Sequence, residues 1–258
     1  MNQYLSSVSL KSLARGQLLG NYGALVGIYL IQLLCTAPIS LAISLLIGTN
    51  TLLNILLYTI AQFLFGLLTG YFLAGQFYIS LKVACLQPFA VSDLFYFFRE
   101  DTSKVLYIQV ILSGISTLCS LPSLISGHYV NLSIMELASK ALSPYELPVD
   151  APLFLFYTML YVIGNVINIY IRYILFSQVF YLMVDFPDYS AKQLLKMSIQ
   201  LILGSRARLF YLIVSFVPLL ILSIFSCGIA QLWIQPYMQT TYANFYLDLI
   251  KKRNGSYD

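Results

Sequence analysis

Four residues bring polar chemistry into an otherwise apolar stretch: Tyr161, Asn165, Asn168 and Arg172. Their spacing of 4, 3 and 4 puts them on one face of an α-helix. A phenol, two amides and a guanidinium can bind and hydrogen-bond, but they show no activated nucleophile and no carboxylate pair for acid–base catalysis. An arginine at mid-membrane costs ~2.5 kcal/mol or more, so this face is expected to point into a helical bundle or a wet cavity. Two readings are open. One is an interhelical hydrogen-bond network, with Arg172 satisfied by carbonyls or lipid phosphate near the inner boundary. The other is a binding or permeation path for an anionic amphiphile. Gln62, Gln76, Gln109 and Asn54, in other apolar stretches, can join either. Asp248, near the inner end of the last apolar stretch, is the candidate partner of Arg172 by depth. Asp93, Asp185 and Asp188 belong to inner loops.

Other reactive residue types are scarce. His128 is the only histidine, which argues against a histidine-based metal site. Cys35, Cys85, Cys119 and Cys227 lack CxxC spacing and read as buried free thiols. Cys119 and Cys227 both fall near the outer face, where a disulfide between them is conceivable. No HExxH, GxSxG or Walker-type loop is present. No catalytic residue, metal or cofactor is assigned, and the chain is read as a non-enzyme.

The elements that must position these residues follow from composition. The 258 residues are 59% hydrophobic and only 9% charged, with a mean hydropathy of +0.81. A soluble domain carries about 25% charged residues, so lipid must be the solvent. The net charge of +4 points to anionic headgroups and away from nucleic acid, because the cations flank apolar stretches on one side.

The expected fold is all-α, a polytopic transmembrane bundle of six spans near 22–47, 52–81, 105–125, 153–184, 209–226 and 229–250. The last two come from cutting one long apolar run at Ser226-Cys227-Gly228. That cut returns Lys251, Lys252 and Arg253 to the side holding every other Lys and Arg except Lys140 and Arg172. Residues 1–258 then form one membrane domain with an acidic outer loop over 127–152. Within that loop Ser133 and Glu136 suggest a capping box, and Ser143-Pro144 a helix stop. Gly48-Thr49-Asn50 reads as a tight outer turn.

Amphipathic helices are expected on the inner leaflet at 9–19 and 190–203. The first puts Leu10, Leu13, Ala14 and Leu18 opposite Lys11 and Arg15. The second is opened by a Ser190/Gln193 capping box. A third inner segment, 88–99, has Ser92-Asp93 as its cap. The plan is three helical hairpins, each preceded by such a segment, with Ser9-Lys11-Leu13-Arg15 aligned to Ser190-Lys192-Leu194-Lys196. Gly66, Gly70 and Ala74 recur every four residues, a spacing that lets a neighbouring helix approach closely. A homodimer face is the alternative use of that stripe.

Three segments carry a family resemblance. YLMVDFPDYSAKQLLKMSIQLILGSRARLFYLIVSF (181–216), GIAQLWIQPYMQTTYANFYLDL (228–249) and LKSLARGQLLGNYG (10–23) resemble the bacterial integral membrane family called domain of unknown function 975. They cover about a third of the chain in the family's order. Val217-Pro218 stands where that family commonly has Gly-Trp nearby, so the fifth span is expected to kink differently. The resemblance implies a polytopic helical fold and no established activity.

These features point to a multi-pass protein of the bacterial plasma membrane with both termini cytoplasmic. Its expected role is a subunit, assembly factor or scaffold of an envelope complex. The alternative is a carrier of an amphiphilic or anionic substrate along the polar face. The expected partners are lipids with anionic headgroups, and another membrane protein or a second copy of the chain.

Overall fold

The computed structural model describes residues 4–47, 51–139 and 151–254. Every described element is helical: α1 (Ser7–Leu18), α2 (Tyr22–Leu46), α3 (Leu52–Ala84), a 3-10 turn (Val91–Phe95), α4 (Tyr96–Arg99), α5 (Thr102–Ser139), α6 (Ala151–Tyr170), a π turn (Ile171–Leu175), α7 (Val179–Asp185), α8 (Ala191–Ile202), α9 (Arg206–Val214), α10 (Val217–Phe225) and α11 (Gln231–Asn254). Five stretches are long and apolar enough to cross a membrane: Tyr22–Leu46, Leu53–Ala84, Thr102–Pro122, Leu155–Asp185 and Arg206–Phe225. The sixth expected span forms a helix, α11, but is not among those five.

The chain divides into two compact units. The first comprises Met1–Cys35, Thr69–Ile108 and Tyr173–Asp258; the second comprises Thr36–Leu68 and Gln109–Arg172.

In the first unit α11 is the buried element. Thr241, Ala243, Phe245 and Tyr246 are fully covered, and Gln239, Thr240 and Asn244 nearly so. α1, α8 and α10 pack on it, and α8 also packs on α7. The break before α11 falls at the expected Ser226-Cys227-Gly228. Cys227 and Gly228 take φ of 51° and 85°, and the Gly228 N–H donates to Ser223 O at 2.8 Å. Such a left-handed C-terminal turn is cheap for glycine. The Arg206–Phe225 stretch also breaks, between α9 and α10, where Pro218 sits in the first turn of α10.

The two expected inner-leaflet helices form, and they are built alike. Ser6 caps α1 and Ser190 caps α8, both with extended backbone, and each helix runs 12 residues. Each ends on a leucine (Leu19, Leu203) followed by a left-handed glycine, Gly20 at 83° and Gly204 at 86°. Leu10, Ala14 and Leu18 then match Leu194, Ser198 and Ile202, all fully buried. This pairs Ser6 with Ser190, where charge matching had paired Ser9 with Ser190, so the register moves by almost one turn. The apolar faces are covered by protein: α1 turns its face to α11, and α8 to α7 and α11. Helices of the same unit, and not lipid, therefore cover these apolar faces. Leu13 alone of the predicted α1 set is exposed.

The middle segment differs. It is a 3-10 turn plus the single turn α4, with Ala90 at the cap position and Asp93 inside, its Oδ2 accepting from Ala90 N at 3.0 Å. Asp93 also pairs with Lys82 at 2.8 Å. Gly75 makes this packing possible, because a Cβ there would collide with the Leu94 carbonyl.

In the second unit α3, α5 and α6 approach through small residues. A Cβ on Gly66 would fall 2.8 Å from Ser113 Oγ, and one on Gly164 would fall 2.9 Å from Cys119 O. Gly66 therefore serves intramolecular packing. In the first unit Gly70 and Ala74 are buried, Ala74 completely. α5 runs on through Ser139, so residues 127–139, expected as loop, continue the helix. The Gly48–Asn50 turn, Lys140 and Ser143-Pro144 lie outside the described residues, as do the side chains of Ser133 and Glu136. All four cysteines are free, and Cys35, Cys85 and Cys227 are exposed. The expected burial of these three thiols is corrected: Cys35 lies within the apolar α2, where a thiol behaves as a small hydrophobe and needs no cover by protein in an apolar solvent, whereas Cys85 and Cys227 lie beyond helix ends.

Candidate functional site

Of the predicted face, Asn168 and Arg172 meet α5. Arg172 Nη1 donates to Ser116 Oγ at 2.9 Å. The Ser116 hydroxyl lies 3.1 Å from Asn168 Oδ1 and 3.0 Å from Leu112 O, and its single hydrogen serves one of them. Asn165 turns back on its own helix, its Nδ2 donating to Tyr161 O at 2.9 Å. The Tyr161 side chain is exposed. The face therefore divides: its C-terminal half, Asn168 and Arg172, is a network and its N-terminal half is not.

The partner of Asp248 is Arg208, an ion pair within the first unit, and this replaces the expected pairing with Arg172. Asp248 lies two turns beyond Thr241 on α11, against the first turn of α9 that carries Arg208, so proximity decides the pair. The described residues give Arg172 no carboxylate partner.

Ser113 and Ser116 escaped the sequence reading. With Gln109 they recur at spacings of 4 and 3 on α5, the same signal as the Asn168/Arg172 face. Small hydroxyls in an apolar helix give a weak pattern because they also bond their own i−4 carbonyl. Gln109 Nε2 donates to Gly66 O at 2.9 Å, while its buried Oε1 has no protein partner among the described residues.

A second polar cluster fills the first unit. Gln76 Nε2 donates to Gln32 Oε1, Gln239 Nε2 donates to Gln76 Oε1 at 2.7 Å, and Tyr29 OH donates to Gln239 Oε1. Tyr181 OH donates to Gln239 O at 3.1 Å, and its ring stacks on Tyr246 with centroids 5.2 Å apart. Tyr246 OH donates to Asp185 Oδ2 at 2.5 Å. Beside this chain lies a cavity of about 10 Å³, lined by Tyr29, Gln76, Ser80 and Thr240 with Leu25, Ile28, Ile79 and Pro236. That is near the smallest space able to hold one water.

The first unit also gathers cations on aromatic rings. Lys11 Nζ lies 4.1 Å from the Phe216 centroid and donates to Ser215 O at 2.8 Å, at the α9–α10 break. Burial, and then the charge of Arg15, pull the Lys11 pKa below its ordinary value. Arg15 lies over Tyr237 and donates to its hydroxyl at 3.0 Å. Gln17 and Asn244 exchange amide hydrogen bonds of 3.1 and 2.6 Å.

A helical chain with this opening, this α8–α9 segment and this α11 agrees with one family model over residues 1–254, described as protein of unknown function (DUF975). The chain belongs to that family. Comparison with curated proteins and with solved structures gives no match. In this DUF975 protein no group of three His, Cys, Asp or Glu among the described residues is placed to hold a metal.

The remaining expected participants disperse. Gln62 Nε2 donates to Tyr58 OH at 3.0 Å within α3, Gln76 joins the first-unit chain, and Asn54 sits in the opening turn of α3, its N–H on Thr51 Oγ1 at 3.2 Å.

Proposed function

We propose that this chain is a six-span protein of the bacterial plasma membrane, with both termini cytoplasmic, that acts as a non-enzymatic component of an envelope assembly. The observation that carries the reading is that two polar networks of its interior are closed by protein groups. The Gln32–Gln76–Gln239–Tyr29 chain and the Arg172–Ser116–Asn168 set use protein groups as partners. Interhelical bonds of this kind hold helices together where lipid offers no hydrophobic driving force. α11 serves as the sixth crossing: its amides and hydroxyls at Gln239, Thr240, Thr241 and Asn244 are buried, so a helix of modest apolarity presents little polar surface to lipid. Crosslinking in native membranes followed by mass spectrometry tests the role. One or a few stoichiometric envelope-protein partners are expected; a chain recovered only with lipid counts against it.

A second reading, a carrier of an anionic amphiphile, draws on the interruption of the fourth span. The π turn Ile171–Leu175 and the turn after it divide α6 from α7, and Arg172 lies in that π turn without a carboxylate among the described residues. Broken helices with a polar site at the break are how many carriers bind substrate. Protein-dependent movement of an anionic lipid analogue in liposomes favours this reading, and its absence favours the first.

A further inference from the structure

Three leucines at helix ends stand clear of the packing of the first unit: Leu19, Leu86 and Leu203 are 75%, 78% and 62% exposed. Each sits in a tight turn. The Asn21 N–H donates to Leu18 O at 3.0 Å, and the Ser205 N–H to Ile202 O at 2.9 Å. Leu19 and Leu203 are therefore the first central residues of two like turns, whose second is the left-handed Gly20 or Gly204. Leu86 closes α3 by itself taking a φ of 55°, while the Gln87 N–H donates to Lys82 O at 2.8 Å. Glycine is the usual residue at such a helix end, and the left-handed conformation is costly for leucine. A lone exposed leucine needs no explanation. The same side chain kept in three turns, once against its backbone preference, does.

We propose that Leu19, Leu86 and Leu203 enter the acyl-chain boundary of one leaflet and seat the protein in it. The inference rests on the membrane reading above and gives that reading a set of lipid contacts. Chain order places all three on one side. Leu19 precedes the apolar stretch Tyr22–Leu46, Leu86 follows Leu53–Ala84, and Leu203 precedes Arg206–Phe225, with Thr102–Pro122 and Leu155–Asp185 between the last two leucines. Two crossings separate each leucine from the next, and the count does not involve α11. None is more than three residues from a stretch apolar enough to span, so each turn lies within about 10 Å of a span's end. That position favours lipid as the occupant. Each leucine continues the apolar outer surface of the adjoining span, whereas α1 and α8 have given their apolar faces to protein. Moving this surface from water into lipid is favourable, which offsets the left-handed backbone of Leu86.

The test uses the cysteine-free full chain in phosphatidylcholine nanodiscs, whose two faces are both open to solution. A bimane fluorophore is attached at Leu19→Cys, Leu86→Cys or Leu203→Cys. Two further sites serve as references: Lys196→Cys on the exposed face of α8, and Leu34→Cys, exposed within α2. Quenching is read with phospholipid carrying a nitroxide near the glycerol end of its acyl chain, and separately with iodide in solution. The three turn sites are expected to be quenched by the nitroxide lipid and to lose most of the iodide quenching seen at Lys196→Cys. Iodide quenching at the turns equal to that at Lys196→Cys would overturn the proposal. Protection from both quenchers would overturn lipid as the occupant in favour of cover by protein. Leu34→Cys keeps the two readings apart. If lipid quenches there while iodide quenches the turns, the chain is embedded without these anchors. Iodide quenching at Leu34→Cys as well ends the membrane reading too. If one turn variant does not fold, the other two decide.

Discussion

Ser116 and Arg172 make opposite predictions for substitution. Arg172→Leu removes a guanidinium together with its need for an acceptor, and an apolar residue often replaces a buried charge at little cost. Ser116→Ala leaves Arg172 and Asn168 in place without the hydroxyl that joins them, which costs about 1–3 kcal/mol for an unsatisfied buried group. In the structural reading Ser116→Ala therefore melts lower than Arg172→Leu in the same lipid, with bound-lipid profiles matching wild type. The reverse order, with a ligand lost from Arg172→Leu and partly kept in Arg172→Lys, would favour the carrier. Glycines divide in the same way. Gly75→Ala must push the Leu94 backbone aside, at about 1–3 kcal/mol for overpacking, whereas Gly114→Ala meets nothing within 4 Å and should be tolerated. Thermal midpoints of the two variants in one detergent check this. The sequence exposed Gly66 because its partner is another helix and the four-residue repeat is visible. Gly75 stayed hidden because its partner is the backbone of a 3-10 turn that leaves no periodic trace. The pairing of Asp248 was missed for a related reason: depth along a span is legible, but which neighbouring helix stands opposite is not.

At the scale of elements, α1 and α8 show what local chemistry specifies. Serine caps, helix length and the Leu-Gly ends are written in the chain and are realised. The environment of each helix is not: apolar faces at 3.6-residue spacing look the same whether lipid or another helix covers them. α8 carries a further consequence. Ser198 Oγ donates to Leu175 O at 2.8 Å, which satisfies a carbonyl at the end of the π turn where the helical ladder is interrupted. Ser198→Ala should destabilise the protein by about 1–3 kcal/mol and raise hydrogen exchange first in 171–178. Uniform loss of protection across all helices, with none concentrated there, would deny α8 this supporting role. The break between α6 and α7 had no proline or glycine to announce it, which is why one uninterrupted span was expected over 153–184. A π turn arises from an extra residue in the ladder and leaves the apolar composition unchanged.

For the whole molecule, the open count is five crossings or six, and it turns on α11. Composition alone disfavours α11 as a span, while the cations at Lys251 and Lys252 and the burial of its polar side chains favour a return to the starting side. The exposed native cysteines fix the frame common to both counts. Cys85 follows α3, and Cys227 lies between α10 and α11. With either count and a cytoplasmic amino terminus, a variant retaining only Cys227 reacts with an impermeant maleimide in intact cells, and one retaining only Cys85 reacts after permeabilisation. Burial, and then the charge of Asp185, raise the Cys85 pKa; less thiolate is present at neutral pH, so its labelling is slow there and quickens as pH rises. Comparing both sites at pH 8.5 keeps this chemistry from being read as topology. A cysteine at Lys252 in a cysteine-free chain then decides the matter. Protection in intact cells means that α11 crosses, whereas labelling from outside leaves α11 on the outer side.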